Sequence, residues 1–296
     1  MKLALGSVQY YWPRDKVFTF YEQVAKSAVD IVYVGEAVCS RRHELRAADW
    51  LEIAKTLHDA GKQVVLSTQV LIESEADLQA MRRIVENGRF LVEANDMGAA
   101  HKLTGQAFVA GPHLNLYNTT SLELVAQLGA TRWVMPLEMN RDDLAVMQKT
   151  RPQGVETEVF AYGRMPLAFS ARCFTARHRN LPKDDCQFGC LDYPDGLLLK
   201  TKEAQPFLVL NGIQTQSGGV YNLANEWTQL EGLGVDIVRI SPQSEQADVI
   251  VDLFDQVRQK KATPQAALEA MKEYMPGAPC NGFWHGKPGQ DWVRQN

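Results

Sequence analysis

The stretch DIVYVGEA, residues 30–37, passes through four consecutive apolar side chains, Ile31 to Val34, and then breaks on Gly35 and Glu36. A strand with one wet face alternates apolar and polar residues, whereas a strand covered on both faces does not. The run therefore reads as a strand buried on both sides, and its Gly-Glu ending as the start of a loop. An amphipathic segment follows, AADWLEIAKTLHDAGK, stopped by a glycine at the expected helix C-cap.

Working outward, the same unit recurs at KLALGSVQ (2–9), QVVLSTQ (63–69), RFLVEAND (89–96), AFVAGPHLN (107–115), RWVMPLEM (132–139), TEVFAYGRM (157–165) and VDIVRISPQ (235–243). Strand-helix units repeated eight times over about 250 residues predict an α/β fold, a TIM-barrel-like (β/α)8 domain. An open doubly wound sheet is the rival, but no GxGxxG follows the first run to open one. In a barrel the functional groups lie at the C-terminal ends of the strands. The candidates there are Glu36, Glu93, Asp96, His113, Asn115 and Glu138, with Tyr117 and Asn118 close by. Each carboxylate has a plainer reading as a loop cap or an arginine partner, and His113 as a structural imidazole.

About 70 residues separate the seventh run from the eighth, and this interval breaks the rhythm. Residues 1–296 read as a single barrel-like domain, with 166–231 as an insertion after the seventh strand. Such an insertion emerges over the catalytic face. It holds SARCFTARHRNLPKDDCQFGC (170–190), the turn YPDG and a hairpin-like pair, GLLLKTKE and PFLVLNG. Gly218 and Gly219, in QTQSGGVYN, read either as an anion cradle or as a tight turn.

With 296 residues, 45% hydrophobic and 22% charged, the chain has ordinary globular composition, and its formal charge of -4 offers no general attraction to nucleic acid or to an anionic membrane. No window reaches the roughly 18 to 20 apolar residues of a spanning helix, and the N-terminus lacks the apolar core of a signal peptide. These features predict a cytoplasmic protein with no nucleic-acid partner and no direct membrane span. Cysteines stay reduced in that compartment, so clustered thiols point to metal binding or catalysis rather than to disulfides.

Three of the five cysteines, Cys173, Cys186 and Cys190, lie within the insertion among Arg172, Arg177, His178, Arg179, Lys183, Asp184 and Asp185. That setting is too polar for core-filling thiols. Cys39 follows the second strand and faces the same end of the sheet. Four thiolates suit a 2Fe-2S or 4Fe-4S cluster and also a structural zinc. Intervals of twelve and three residues leave only Cys186 and Cys190 as a compact knuckle. Spacing leaves iron-sulfur, zinc and unligated thiols open, with the basic residues beside Cys173 either a solvated face or a counter-charge. Cys280 reads as a spare thiol. For hydrolysis the chain offers neither HExxH nor GxSxG, and a Cys173–His178 nucleophile pair would leave three cysteines idle.

The segments IVYVGEAVCSRR, FLVEANDMG, AGPHLNLYN, MPLAFSARCFTARHRNLPKDDCQFGC, FLVLNGIQTQSGGVYNL and CNGFW together resemble the collagenase-like peptidase family, U32, in its branch serving O2-independent ubiquinone biosynthesis. The resemblance runs over nearly the whole chain. It implies a 4Fe-4S cluster on Cys39, Cys173, Cys186 and Cys190. It also implies a UbiU-like sister protein as heterodimer partner, a lipid-binding accessory protein, and a ubiquinone precursor whose aromatic ring is hydroxylated, with prephenate as hydroxyl donor. Other members imply alternatives, a peptidase or hydroxylation of RNA bases. A further reading is a non-catalytic electron-transfer or structural subunit, since a cluster-bearing protein whose partner carries the substrate pocket would show the same cysteines.

Overall fold

The computed structural model describes residues 1–294. Eight parallel strands form a closed barrel: β1 (Lys2–Leu5), β2 (Ile31–Val34), β3 (Gln63–Ser67), β4 (Leu91–Ala94), β5 (Phe108–Ala110), β6 (Ala130–Val134), β7 (Glu156–Gly163) and, after the insertion, Ile237–Ile240. The last strand pairs with both β1 and β7, which closes the ring. Each of the eight runs read from the sequence overlaps one strand, with β6 and β7 starting at Ala130 and Glu156, just before their runs, and the polar tail of each run forms the loop beyond. The TIM-barrel-like expectation holds.

Side chains alternate within each barrel strand. Ala4, Ile31, Tyr33, Val65, Val109, Val134 and Ile237 form an apolar cluster of their own inside the barrel. Their neighbours Leu3, Leu5, Val32, Val34, Val64 and Leu66 join the larger cluster beneath the surrounding helices. Both faces are dry, which explains why the runs are continuously apolar. Helix starts follow local chemistry: Ser74, Asn118, Asn140 and Thr263 each accept a hydrogen bond from a first-turn backbone N–H.

The insertion builds a second, antiparallel sheet from β8 (Pro166–Phe169), β9 (Leu197–Lys200), β10 (Pro206–Asn211) and β11 (Gln214–Ser217), in the order β8-β11-β10-β9. The hairpin-like pair is a true hairpin, β9 against β10. A short strand, β12 (Val220–Asn222), then returns to the barrel antiparallel to the end of β7, and the helix Trp227–Gly232 leads to the closing barrel strand, β13 (Ile237–Ile240). Lys183–Glu73 and Arg41–Asp184 ion pairs tie the cysteine segment to the loops after β3 and β2. No helix among the described residues is long and apolar enough to cross a membrane.

Candidate functional site

Cys39, Cys173, Cys186 and Cys190 come from four short pieces of backbone. Cys39 sits in the loop after β2, which begins at Gly35 with a φ of +127°. A Cβ there would stand 2.9 Å from the Ser67 carbonyl oxygen, so only glycine turns the chain tightly enough to launch this loop. Glu36 then folds back and accepts from the backbone N–H groups of Val38 (2.9 Å) and Cys39 (3.0 Å). Cys173 caps the short helix Phe174–His178, its Sγ accepting from the Ala176 N–H at 3.4 Å. Cys186 and Cys190 lie on consecutive 3-10 turns, joined by Gln187 and Phe188 with φ of 49° and 52°. Two successive non-glycine residues in the left-handed region cost about 1–2 kcal/mol each, and strain of this kind concentrates at functional sites.

These pieces converge. Cys39 and Cys173 pack with Val38, Ala176 and Ile213, and Cys186 joins them with Leu71, Phe169 and Leu181. Cys173 shares a hydrogen bond with Cys190, which also contacts Arg42 and Thr175. The bond from Cys173, aided by the Arg42 charge, holds the Cys190 thiol below its usual range. Donating that bond, together with burial, pushes Cys173 up. Burial also raises Cys39. Gly212, φ +67°, brings the β10–β11 turn against this group, and a Cβ at this position would lie only 3.5 Å from Cys190 Sγ. Cys280 packs in the main core instead.

The cation at the thiols is one the sequence reading did not single out. Arg172 and Arg177 are exposed, and Arg179 pairs with Asp192 at 2.5 Å. Arg42, with 3% of its side chain exposed, donates to the Gln9 carbonyl and to Asn211 Oδ1, both at 2.7 Å, and lies 3.5 Å from Glu36. Its lock among these partners points a fixed positive charge at Cys190 and Cys39.

The donor set fits an iron-sulfur cluster: four sulfurs, two from buried and two from half-buried cysteines, an apolar surround and one fixed guanidinium. Among the described residues, no three His, Cys, Asp or Glu side chains are gathered closely enough to hold a single metal ion.

Beside the thiols, at the C-terminal ends of the barrel strands, lies a cavity of about 280 Å³. Three of the candidates, His113, Asn115 and Glu138, line it, and β8 of the insertion forms one wall through Leu167, Ala168 and Phe169. Glu138 accepts from the Tyr117 hydroxyl at 2.8 Å. Burial and this carboxylate push Tyr117 up to about 12. Burial pushes the His113 imidazole down to about 4, so it is neutral at ordinary pH; the charges of Glu93 and Arg239 act on it in opposite senses.

Glu93 lies inside the barrel within a buried polar network. Arg239 reaches Glu93 at 2.8 Å and Glu158 at 2.5 Å, and its guanidinium stacks over Tyr33 at 3.9 Å. The Tyr33 hydroxyl donates to Glu158 (2.5 Å) and accepts from Arg132 (3.0 Å). Although burial opposes ionisation, Arg239, Ser67 and Asn95 hold Glu93 below its usual range.

The other candidates lie elsewhere. Asp96 caps the helix Met97–Lys102 by accepting from the Gly98 N–H at 2.7 Å. Glu36 braces the Cys39 loop and Arg42. Gly218 and Gly219 do point two N–H groups at one acceptor, but it is the Gln290 side-chain oxygen, at 3.0 and 3.2 Å.

Barrel and site together define a (β/α)8 protein with a thiol-bearing insertion beside the mouth. The chain belongs to peptidase family U32, which matches residues 18–294. Similar solved structures include the U32 peptidase Mk0906, at 12% identity and a TM-score of 0.46, covering 82% of this chain and 93% of that one. Tryptophan synthase of Mycobacterium tuberculosis is similar at 11% identity and a TM-score of 0.41, covering 90% of each chain. Wild-type HPPK-DHPS of Plasmodium falciparum is similar at 10% identity and a TM-score of 0.44, covering 89% of this chain and 47% of that one, so the chain spans about half its length.

Proposed function

We propose that the chain is a UbiV-like subunit of an O2-independent hydroxylase in ubiquinone biosynthesis, holding a 4Fe-4S cluster on Cys39, Cys173, Cys186 and Cys190 and acting with a UbiU-like partner. The observation that carries this reading is the convergence of the four cysteines beside an open barrel mouth, with Phe169 belonging to both. That residue packs against the thiol group and lines the cavity.

When bound, the cluster supplies one-electron redox chemistry. The chain's residues do the rest. Arg42 offsets the negative charge of the thiolates, and the Ala176 N–H donates to Cys173 Sγ. Val134, Met135, Leu137, Phe160 and Leu167 give the cavity apolar walls suited to an aromatic ring. Neutral His113 and Asn115 offer hydrogen bonds there without adding charge, and the Tyr117 hydroxyl donates to Glu138 Oε2. Prephenate as hydroxyl donor and a lipid-binding accessory protein that delivers the precursor complete the proposal.

The test is anaerobic ring hydroxylation of a ubiquinone precursor by this chain together with its sister protein. The expected result is loss of product with Cys173→Ala and with Ala168→Trp, which fills the mouth. Undiminished product when this chain is omitted would sink the proposal.

A further inference from the structure

A second cavity, of about 480 Å³, lies on the flank of the barrel between the helices Ala47–Asp59 and Glu75–Val85, and shares no lining residue with the mouth. Its floor is the helix-facing side of β2 and β3, through Val34 and Leu66. The sequence explains why the two helices leave it open. Each presents an alanine to it, Ala47 and Ala80, and a methyl group is too short to bridge the gap. The loop after β2 forms a further wall. Glu36 anchors one end of that loop through the Val38 and Cys39 N–H groups, and at the other end the Tyr11 hydroxyl accepts from the N–H groups of His43 (3.0 Å) and Glu44 (3.2 Å), so the wall is fixed.

Two properties of the lining define what fits. The walls between the helices are apolar, with Trp50 and Leu51 facing Met81 and Ile84, and Leu51 is 44% exposed. An apolar cavity of only about 150 Å³ stays dry and takes up a small hydrocarbon, so a larger one of this kind favours an apolar ligand over water. The volume equals about sixteen waters at about 30 Å³ each, room for a chain of roughly ten carbons. The outer end is positive. His43, Arg46 and Arg83 line it with exposed side chains, and neither arginine has an ion-pair partner among the described residues. Nearby acids are engaged elsewhere, Asp49 with Arg14 at 2.7 Å and Glu75 with Arg82 at 3.3 Å. Glu36, the one carboxylate among the described lining residues, is already matched by Arg42 and two N–H groups. Two unmatched guanidiniums at the end of an apolar slot, on a chain whose formal charge is -4, are complementary to a ligand with a greasy body and a negative head.

We propose that the flank cavity is a binding site for a single-chain anionic amphiphile, its apolar chain between the two helices and its head group on Arg46 and Arg83. The site goes beyond the proposed function and needs neither the cluster nor the mouth.

The test is calorimetric titration of the full chain with decanoate, with the shorter hexanoate and with neutral decanol. Decanoate is expected to bind at least about tenfold more tightly than hexanoate, because the added methylenes are buried, and about fivefold more tightly than decanol, the scale of two exposed ion pairs. Arg46→Gln combined with Arg83→Gln should bring decanoate down to the level of decanol. Ala47→Trp and Ala80→Trp, each at an exposed helix position, should each abolish binding by filling the cavity. Absence of decanoate binding, binding no tighter than that of hexanoate, or binding that survives both tryptophan variants overturns the site. Equal affinity for decanoate and decanol overturns the anionic head. Cys173→Ala should leave decanoate affinity unchanged, so a chain that binds decanoate in this pattern but supports no hydroxylation would count against the proposed function and leave the flank site standing.

Discussion

The ring of Phe169 stands edge-on to His113, with centroids 4.9 Å apart and planes at 78°. One ring thus belongs to three things: the insertion's first strand, the wall of the mouth and the apolar shell of the cysteines. It packs with Cys39 and Cys173 and also lines the cavity.

Replacing this ring tests the coupling between the two compartments. Phe169→Ala is expected to lower anaerobic hydroxylation at least about tenfold, the scale of a misplaced reacting group, while leaving bound iron near the wild-type level. Iron and activity assays on the same preparation check it. Unchanged activity would remove Phe169 from the account.

Burial of His113 makes stability depend on acid. Its imidazole titrates near 4 in the fold against about 6.5 in an open chain. The folded pKa is the lower one, so the contribution is complete above about pH 6.5 and is lost progressively as pH falls toward 4. Urea unfolding across this window should show His113→Gln with a shallower pH dependence than wild type. Parallel curves would contradict the prediction.

Arg42 is expected to be structural as well as electrostatic. Arg42→Met strands Asn211 Oδ1, takes one of two donors from the Gln9 carbonyl and removes the counter-charge of Glu36, and should cost about 3 kcal/mol in denaturant unfolding. Arg42→Lys keeps the charge but not the fork of donors, and should recover only part of the loss. A cost within about 0.5 kcal/mol for the methionine variant would mean the thiol loops hold without it.

Glu158 tests the interior network independently of the thiols. Glu158→Gln removes the carboxylate shared by Arg239 and the Tyr33 hydroxyl, and Arg132 loses its buried counter-charge. The expected destabilisation is about 3–5 kcal/mol, read from the shift of the unfolding midpoint. A shift worth less than about 1 kcal/mol would show that water replaces the lost charge.

The barrel was legible because each of its strands is dry on both faces and so carries an unbroken apolar run. The strand-end rule found His113, Asn115 and Glu138 at the mouth, since position after a parallel strand determines which end of the barrel a residue occupies. It does not determine which way a loop side chain turns. Glu36 bends back onto the Cys39 backbone, and Asp96 serves the helix that starts one residue later, although Asn-Asp before MGAAHK is itself an N-cap signal. Arg239, Glu158, Arg132 and Tyr33 were missed although their signal was present: single polar residues inside otherwise buried strands must face one another across the barrel. Arg42 had no such signal. Its role depends on Gln9 and Asn211, distant in sequence and brought together only by the insertion.

The central claim is that Cys39, Cys173, Cys186 and Cys190 hold a 4Fe-4S cluster. Protein purified without oxygen should carry about four iron and four acid-labile sulfide per chain, with an EPR signal on reduction, and Cys173→Ala should lose them. Stoichiometric zinc with no sulfide in the anaerobic wild-type protein would contradict it.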